Sequence, residues 1–259
     1  MTRIAEFCEQ VVAVAAAELA KLRHDPLELF SRAVQPVLWL LLFGEVMAQV
    51  RGIAEPGTNY LDFLAPGILA QSMLFVAIFY GIAAIWERDL GILQRYLVSP
   101  APRVAIVIGK ALASTVRSLS QAVVVYAVAA IMGSALSYNP WHLAGVLALI
   151  AIGSALFSTF SLAIACIVKT RERFMGIGQI LTMPIFFASN AIYPIALMPH
   201  WLQLVSHFNP LTYEVDALRA LMLRDSLPVI GFATDFAVLI AITVALVAAT
   251  ARMISRMGA

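Results

Sequence analysis

Segments of roughly twenty apolar residues recur along this chain, and each is long enough to cross the hydrocarbon core of a membrane as one helix. Only 12% of the residues are charged, against about 25% in an average soluble domain, and so few charges cannot cover a water-facing surface. The sequence therefore predicts an all-α polytopic membrane protein, a single domain over 1–259, with six transmembrane helices. The predicted spans are Leu29 to Val50, Asp62 to Ile85, Leu112 to Met132, Leu143 to Val168, Phe174 to Ile195 and Ile230 to Ala251.

Residues 1–25, which precede the first span, alternate apolar and charged positions. Apolar residues from Ile4 to Leu22 recur near helical spacing, while Glu6, Glu9 and Glu18 take other positions. This pattern is typical of an amphipathic helix lying along the membrane interface. The alternative is an N-terminal extension that does not dock.

Basic residues are unevenly divided between the two sides of the six predicted spans. One side receives only Arg51, Arg219 and Arg224. The other receives Arg3, Lys21, Arg23, Arg32, Arg88, Arg95, Arg103, Lys110, Arg117, Lys169, Arg171, Arg173, Arg252 and Arg256. A basic excess marks the cytoplasmic side, so we expect a multi-pass protein of the cytoplasmic (inner) membrane with both termini cytoplasmic.

Residues 87–110 form a polar interval between the second and third spans, predicted to be a cytoplasmic loop. Leu90, Leu93, Tyr96 and Leu97 share one helical face, and Ser99-Pro100-Ala101-Pro102 ends that helix because proline disfavours helix before it. Such a helix can transmit force from a soluble partner to two spans. From the residues alone, a partner-docking helix and an unpartnered interfacial loop remain equally open.

Residues 196–229 mix apolar side chains with Pro, His, Asn, Tyr and charged residues, which suits neither a complete span nor a soluble domain. Short re-entrant helices that enter the membrane from the external side would explain the composition, provided that protein covers their backbone breaks.

The chemistry-bearing motifs of common enzymes are absent from the sequence. It has no phosphate-binding Gly-rich loop with Lys-Ser/Thr, no dinucleotide fingerprint and no nucleophile elbow, so no catalytic residues are assigned. Cys8 and Cys166 are isolated, and His200 and His207 are too isolated for a metal site, so no metal is predicted. A net charge of +2 gives no reason to expect nucleic-acid binding.

Two separated motifs resemble a known family. Trp86-Glu87-Arg88-Asp89, with Gly91, Leu93, Leu97-Val98-Ser99-Pro100 and Gly109-Lys110, is similar to the first cytoplasmic loop of the ABC-2 type exporter permeases. His207-Phe208-Asn209-Pro210-Leu211-Thr212-Tyr213, followed by Ala217-Leu218-Arg219, resembles that family's signature before its last span. These permeases are the membrane subunits of bacterial ATP-binding-cassette exporters for drugs, lipid-linked glycans and lipo-oligosaccharides, and the resemblance extends over the whole chain.

The resemblance implies that the 87–110 loop and the N-terminal helix seat on a separate ATPase subunit, which binds ATP and Mg while this chain binds no cofactor. It also implies a working unit of two permeases and two ATPases. The coupling residues would be Glu87, Arg88, Asp89, Leu93, Arg95, Tyr96 and Arg103. Ile92 and Gln94 replace the Thr and Glu of many relatives, so the salt-bridge pattern departs from the family's.

By the same resemblance, the re-entrant region forms an external gate, for which a structural plug is the alternative. The gate residues would be Asn190, Tyr193, Asn209, Pro210, Tyr213, Glu214 and Arg219. Candidates for a transport pathway are Glu45, Met47, Met73, Phe75, Phe79, Met183 and Phe187. A pathway lined in this way suits an amphipathic substrate such as a lipid, glycolipid or drug-like molecule. An ion-gradient-driven secondary transporter or channel is the alternative, and it needs a carboxylate buried near the midplane or an inverted repeat.

Overall fold

The computed structural model describes residues 2–24, 26–48, 60–98, 101–168, 170–224 and 226–254. The described chain is helical, with no strand beyond an isolated bridge between Leu136 and Leu223. Its helices are α1 (Thr2–His24), α2 (Pro26–Leu38), α3 (Gly44–Ala48), α4 (Tyr60–Asp89), α5 (Ile92–Val98), α6 (Arg103–Ile131), α7 (Pro140–Ile167), α8 (Arg171–Phe187), α9 (His200–Phe208), α10 (Pro210–Met222) and α11 (Phe232–Met253).

Four of these helices, α4, α6, α7 and α11, are long and apolar enough to cross a membrane, as judged by length and composition. They correspond to the second, third, fourth and sixth predicted spans. The first predicted span corresponds to α2 and α3, which a π-helical turn (Trp39–Phe43) joins without interruption, and the fifth corresponds to α8. Pro36 lies inside α2 just before this turn, where its missing N–H removes one backbone hydrogen bond.

Helix boundaries differ from the prediction on both sides of residues 87–110. Helix α4 continues to Asp89, and α6 already begins at Arg103, so 90–102 alone separate the long helices. Trp86 to Asp89 contain no helix breaker, and Pro102 stands before the first turn of α6, where its missing N–H costs nothing. The predicted loop is thus largely helical.

The fifth apolar segment ends as a helix at Phe187 rather than at Ile195, and Pro184 lies within α8. Residues 188–194 form turns, in which Ala188 donates to the carbonyl of Pro184 at 2.8 Å. The two short helices α9 and α10 then occupy much of 196–229.

Helix α4 forms the centre of the bundle and is buried along most of its length. Ser161 of α7 fixes its middle, accepting from the backbone N–H of Gly81 at 3.0 Å and donating to the carbonyl of Ile78 at 2.6 Å. Near its first turns, a Cβ atom on Gly67 would lie 2.1 Å from the carbonyl oxygen of Ala191. Glycine is therefore required where α4 meets the 188–194 segment.

The bundle has two ends with separate side-chain clusters. At the end called here the α5 end, α5 packs with the last turns of α4, the start of α6 and the end of α7 in a cluster that includes Leu93, Ile106 and Phe174. At the other, the α10 end, α10 packs with the start of α4 and the loop after α6. Ser137 there donates its backbone N–H to the Met222 carbonyl at 2.7 Å.

Candidate functional site

A buried lysine is the centre of the α5 end. The Nζ atom of Lys110 on α6 donates to Glu18 Oε1 of α1 at 2.7 Å and to Glu87 Oε2 of α4 at 2.5 Å. All three side chains are at most 6% exposed. The ammonium also lies 5.6 Å from the ring centroid of Tyr80 and 6.0 Å from that of Tyr96, within cation–π range. This cluster joins the N-terminal helix, the end of α4 and the start of α6 through charge.

Helix α1 reaches this lysine because one of its faces packs tightly on α6. Val11, Val14, Ala15 and Glu18 are buried at helical spacing. A Cβ atom on Gly109 of α6 would lie 2.6 Å from the Cβ of Val14, so the glycine sets the close approach of the two helices. The predicted amphipathic helix is observed, and its buried face contacts protein.

Neither Glu18 nor Lys110 is among the predicted site residues. A signal was nevertheless available, since Glu18 continues the spacing of Val11, Val14 and Ala15 and therefore falls on the apolar face of α1. A carboxylate on an apolar face needs a buried cation, and Lys110 supplies it.

Beside the lysine cluster lies a partly exposed group of charges. Asp89 accepts from Arg88 and from Arg171, each at 3.0 Å. The guanidinium of Arg171 stacks 3.6 Å above the ring of Trp86, and Arg88 also reaches the carbonyl of Val168 at 3.5 Å. These contacts fasten the start of α8 to the end of α4.

Helix α5 begins after a sharp change of chain direction. Gly91 adopts a φ of 71°, a left-handed conformation that glycine reaches without strain. Within α5, Leu93 is fully buried in the cluster at this end, Tyr96 is half-buried and Val98 is 86% exposed. Arg103 is exposed at the start of α6. The side chain of Arg95 lies outside the described residues, as does that of Gln94.

The structure thus divides the predicted coupling residues into two groups. Glu87 and Leu93 are held inside the chain, whereas Asp89 and Arg103 expose surface that a partner could contact. Val98, which is not among the predicted coupling residues, is exposed beside them. Contact with an ATPase remains a prediction for all of them.

At the α10 end, Asn209 organises the start of α10. Its side-chain oxygen accepts from the backbone N–H of Leu211 at 3.0 Å, its amide donates to the Ile185 carbonyl at 2.6 Å, and Pro210 occupies the first helical turn. The hydroxyl of Tyr213 donates to the His207 carbonyl at 2.7 Å. Asn209 therefore caps α10 and also ties it to α8.

Two other predicted gate residues, Arg219 and Asn190, meet beside α4, and a third, Tyr193, bonds to the end of α8. Arg219 donates to the carbonyl of Asn190 at 2.8 Å and to that of Phe63 at 3.3 Å, and its guanidinium lies 3.8 Å above the Phe63 ring. Tyr193 donates its hydroxyl to the Phe187 carbonyl, and partial burial raises the pKa of the Tyr193 hydroxyl. The α10 end is therefore tied together by side-chain bonds to backbone carbonyls.

Glu214 has a different environment from the other gate residues. It is fully buried, and neither carboxyl oxygen has a hydrogen-bond partner among the described residues. A Cβ atom on Gly153 of α7 would lie 2.0 Å from Glu214 Oε1. Burial raises the pKa of this carboxyl well above its usual range, because desolvation disfavours the charged form.

The pathway candidates divide between surface and core. Glu45, Phe79, Met183 and Phe187 are exposed, while Met47 and Phe75 are half-buried. Met73 does not belong with them, because α4 directs it into the core, where it is fully buried. Phe79 and Met183 line a cavity of about 170 Å³ between α4 and α8. No group of three or more His, Cys, Asp or Glu side chains able to hold a metal occurs within the described part of the chain.

Comparison with known proteins identifies the family. Residues 9–223 match the ABC-2 type transporter family. The putative transport permease ycf38 of Cyanophora paradoxa is 30% identical over 226 residues, covering 85% of this chain and 76% of the relative. The daunorubicin resistance ABC transporter permease protein DrrB1 of Streptomyces coeruleorubidus is 25% identical, covering 77% of this chain and 70% of the relative. The probable multidrug ABC transporter permease YbhR of Escherichia coli K12 is 29% identical, covering 68% of this chain and 48% of the relative. This helical membrane protein therefore belongs to the ABC-2 type transporter family.

Proposed function

We propose that the chain is the non-catalytic membrane subunit of an ATP-binding-cassette exporter that moves an amphipathic substrate across the bacterial inner membrane. Two copies work with two ATPase subunits, which bind ATP and Mg, and both termini lie on the ATPase side. The names of the relatives, transport permeases in each case, support this assignment.

The observation that carries the proposal is the Lys110 cluster at the α5 end. A force applied to α1 reaches α4 and α6 directly, because Glu18 of α1 and Glu87 of α4 share the ammonium group of Lys110 on α6. The surface next to this cluster combines the exposed charges of Asp89 and Arg103 with the exposed apolar side chain of Val98. In this proposal Glu87 and Leu93 position that surface, and the exposed residues contact the ATPase.

A test is to co-purify the chain with the ATPase encoded beside it and measure ATP turnover in nanodiscs. The proposal requires a stable complex whose ATP turnover differs from that of the ATPase alone. Absence of a complex, or turnover identical to that of the isolated ATPase, would contradict it.

An ion-gradient-driven transporter is the second candidate, and the fully buried carboxyl of Glu214 favours it, because such transporters use buried ionisable groups. The two candidates respond differently to the same treatment. Transport by vesicles that continues after an uncoupler has dissipated the protonmotive force, provided that ATP is present, selects the exporter. Transport that stops under those conditions selects ion coupling.

A further inference from the structure

A cavity of about 600 Å³ opens at the α10 end, at the opposite end of the bundle from the Lys110 cluster. It lies between the start of α4, the loop after α6, the 190–196 segment and the chain that follows α10. Ligand pockets of proteins commonly have volumes of about 300–1,000 Å³. The cavity is therefore large enough for a lipid-sized headgroup together with the first part of its tail.

Two arginines give the cavity a positive wall. Arg219 is held rigidly by the Phe63 and Asn190 carbonyls and by the Phe63 ring, so its guanidinium is fixed in position. Arg224 is anchored through Nε, which donates to the Leu136 carbonyl at 3.0 Å, while its side chain remains exposed.

A single carboxylate, Asp62, lines the described cavity. Its Oδ1 atom already accepts from the hydroxyl of Ser134 at 2.5 Å and from the backbone N–H of Ala135 at 2.8 Å. Two guanidinium groups line the cavity. They favour an anionic ligand, because guanidinium groups bind carboxylate and phosphate oxygens through charge-assisted hydrogen bonds.

Asn190 adds a requirement of a different kind. Its side chain is 4% exposed, lines the cavity, and its Oδ1 atom has no hydrogen-bond partner among the described residues. A buried acceptor without a donor is costly. A hydroxyl group on the ligand would satisfy it, which adds a donor to the anionic group that the arginines favour.

The rim of the cavity is apolar. Leu227 and Val229 are 85% and 81% exposed, and Ile195 continues the lining beside them. An alkyl chain that leaves the cavity along these side chains would cover apolar surface that is otherwise in contact with solvent or lipid headgroups.

We propose that this cavity binds the headgroup of an anionic, hydroxyl-bearing amphiphile, whose acidic group contacts Arg219 and Arg224 and whose hydroxyl donates to Asn190. The inference rests on the proposed function and deepens it by naming the class of amphiphile. The same chemistry is shared by acidic phospholipids of the bilayer and by an acidic cargo, and the two sources are separated below.

The binding experiment uses the purified full-length chain in detergent and native mass spectrometry. The probes are phosphatidylglycerol, which is anionic and carries hydroxyls, and phosphatidylcholine with the same acyl chains, which has no net charge. Phosphatidylglycerol is expected to bind more tightly. Arg224→Gln should weaken phosphatidylglycerol binding about tenfold, as expected for the loss of a charge-assisted hydrogen bond, and Arg224→Lys should retain most of it.

Arg173→Gln is the matched control, since it removes an exposed arginine near the start of α8, at the other end of the bundle. Equal binding of the two lipids by the unmodified chain would overturn the proposal. So would an Arg224→Gln affinity equal to that of Arg173→Gln. Because the measurement uses neither ATP nor an ATPase, its failure is distinguishable from failure of the exporter assignment.

The source of the bound amphiphile, bilayer or cargo, is identified from the lipids that co-purify with the unmodified chain and are lost in the Arg224→Gln variant. A lost molecule that matches the acidic phospholipids of the host membrane identifies a resident bilayer lipid. A lost acidic amphiphile that is absent from the bulk lipid extract identifies a cargo. An identical set of lipids in both preparations contradicts the site.

Discussion

Lys110 and Glu18, 92 residues apart in sequence, form a 2.7 Å ion pair in which both side chains are 2% exposed. The pair lies where the N-terminal helix meets the start of a long apolar helix. An ion pair buried to this degree is costly to break, and Lys110 matters most because it is the cation shared by Glu18 and Glu87.

The first prediction concerns this pair. Lys110→Met should destabilise the protein by about 3–5 kcal/mol, because it leaves the carboxylates of Glu18 and Glu87 buried together. Thermal unfolding in detergent measures the effect. Adding Glu18→Gln and Glu87→Gln should restore most of the loss. A Lys110→Met variant as stable as the parent chain would show that the Lys110 cluster makes no net contribution to the free energy of unfolding.

The second prediction concerns contact with the ATPase. Val98→Asp places a charge on an 86% exposed apolar side chain, so it should weaken ATPase binding at least tenfold without changing the unfolding temperature. Binding is measured by titration of the ATPase onto the chain in nanodiscs. His200→Gln, an exposed change on α9, is the control and should bind normally. Unchanged binding by Val98→Asp would remove this side chain from the interface.

The third prediction concerns Leu93, which the structure places in the core. Leu93→Ala should cost about 2–5 kcal/mol of stability, as a large-to-small change in a packed core does. Tyr96→Ala removes a half-buried ring and should cost less. The effect of a Leu93→Ala/Tyr96→Ala double variant on coupling of ATP turnover to transport therefore has to be measured at matched amounts of folded protein. Size-exclusion chromatography gives those amounts. A Leu93→Ala variant of full stability would indicate that the side chain leaves the core.

The fourth prediction uses two glycines on neighbouring helices. Gly153→Ala should destabilise the protein by about 1–3 kcal/mol, because the new methyl group would overlap the Glu214 carboxyl. Gly176→Ala on α8 meets no atom within 4 Å and should stabilise the helix by up to about 1 kcal/mol. Comparing the two unfolding temperatures removes the common effect of helix propensity. Equal shifts would mean that α7 and α10 can separate freely.

The fifth prediction concerns pH. The pKa of Glu214 is raised in the folded protein, so the unfolded chain ionises first and stability falls as pH rises above the unfolded value. Glu214→Gln cannot ionise. The stability advantage of the variant over the parent chain should therefore grow as pH rises above the ordinary glutamate pKa of about 4.3, and the advantage should be smallest below about pH 4. A constant difference across the range would mean that Glu214 is ionised or partnered in the folded state.

The sequence predicted the helical class, the membrane-spanning character and the N-terminal helix because each depends on local composition and periodicity. The cap at Asn209-Pro210 also follows from local sequence, because Asn is favoured at the N-cap and Pro in the first helical turn. The ends of α4 and α6 were misjudged, because polar residues were taken to mark a loop although they continue the helices.

The burial of Glu87, Leu93 and Met73 could not be predicted from local composition and periodicity. Periodicity shows that residues share a face, but several helices compete to cover the faces of α4 and α5. Which face turns inward depends on packing between distant segments, such as the contact of Phe174 with Gly81. The pairing of Lys110 with Glu18 likewise joins residues that no local pattern relates.

The central helix α4 has a mechanical consequence. With 30 residues it is about 45 Å long, and it carries the Lys110 contact at Glu87 near one end and the bond from Tyr60 to the Ile192 carbonyl at the other. Between these points, Ser161 and the tight contact of Gly67 with Ala191 prevent it from sliding. Under the proposed function, a tilt imposed on α4 at its Glu87 end would therefore also move its Tyr60 end. The two ends of the bundle would then respond together to one event at the ATPase side.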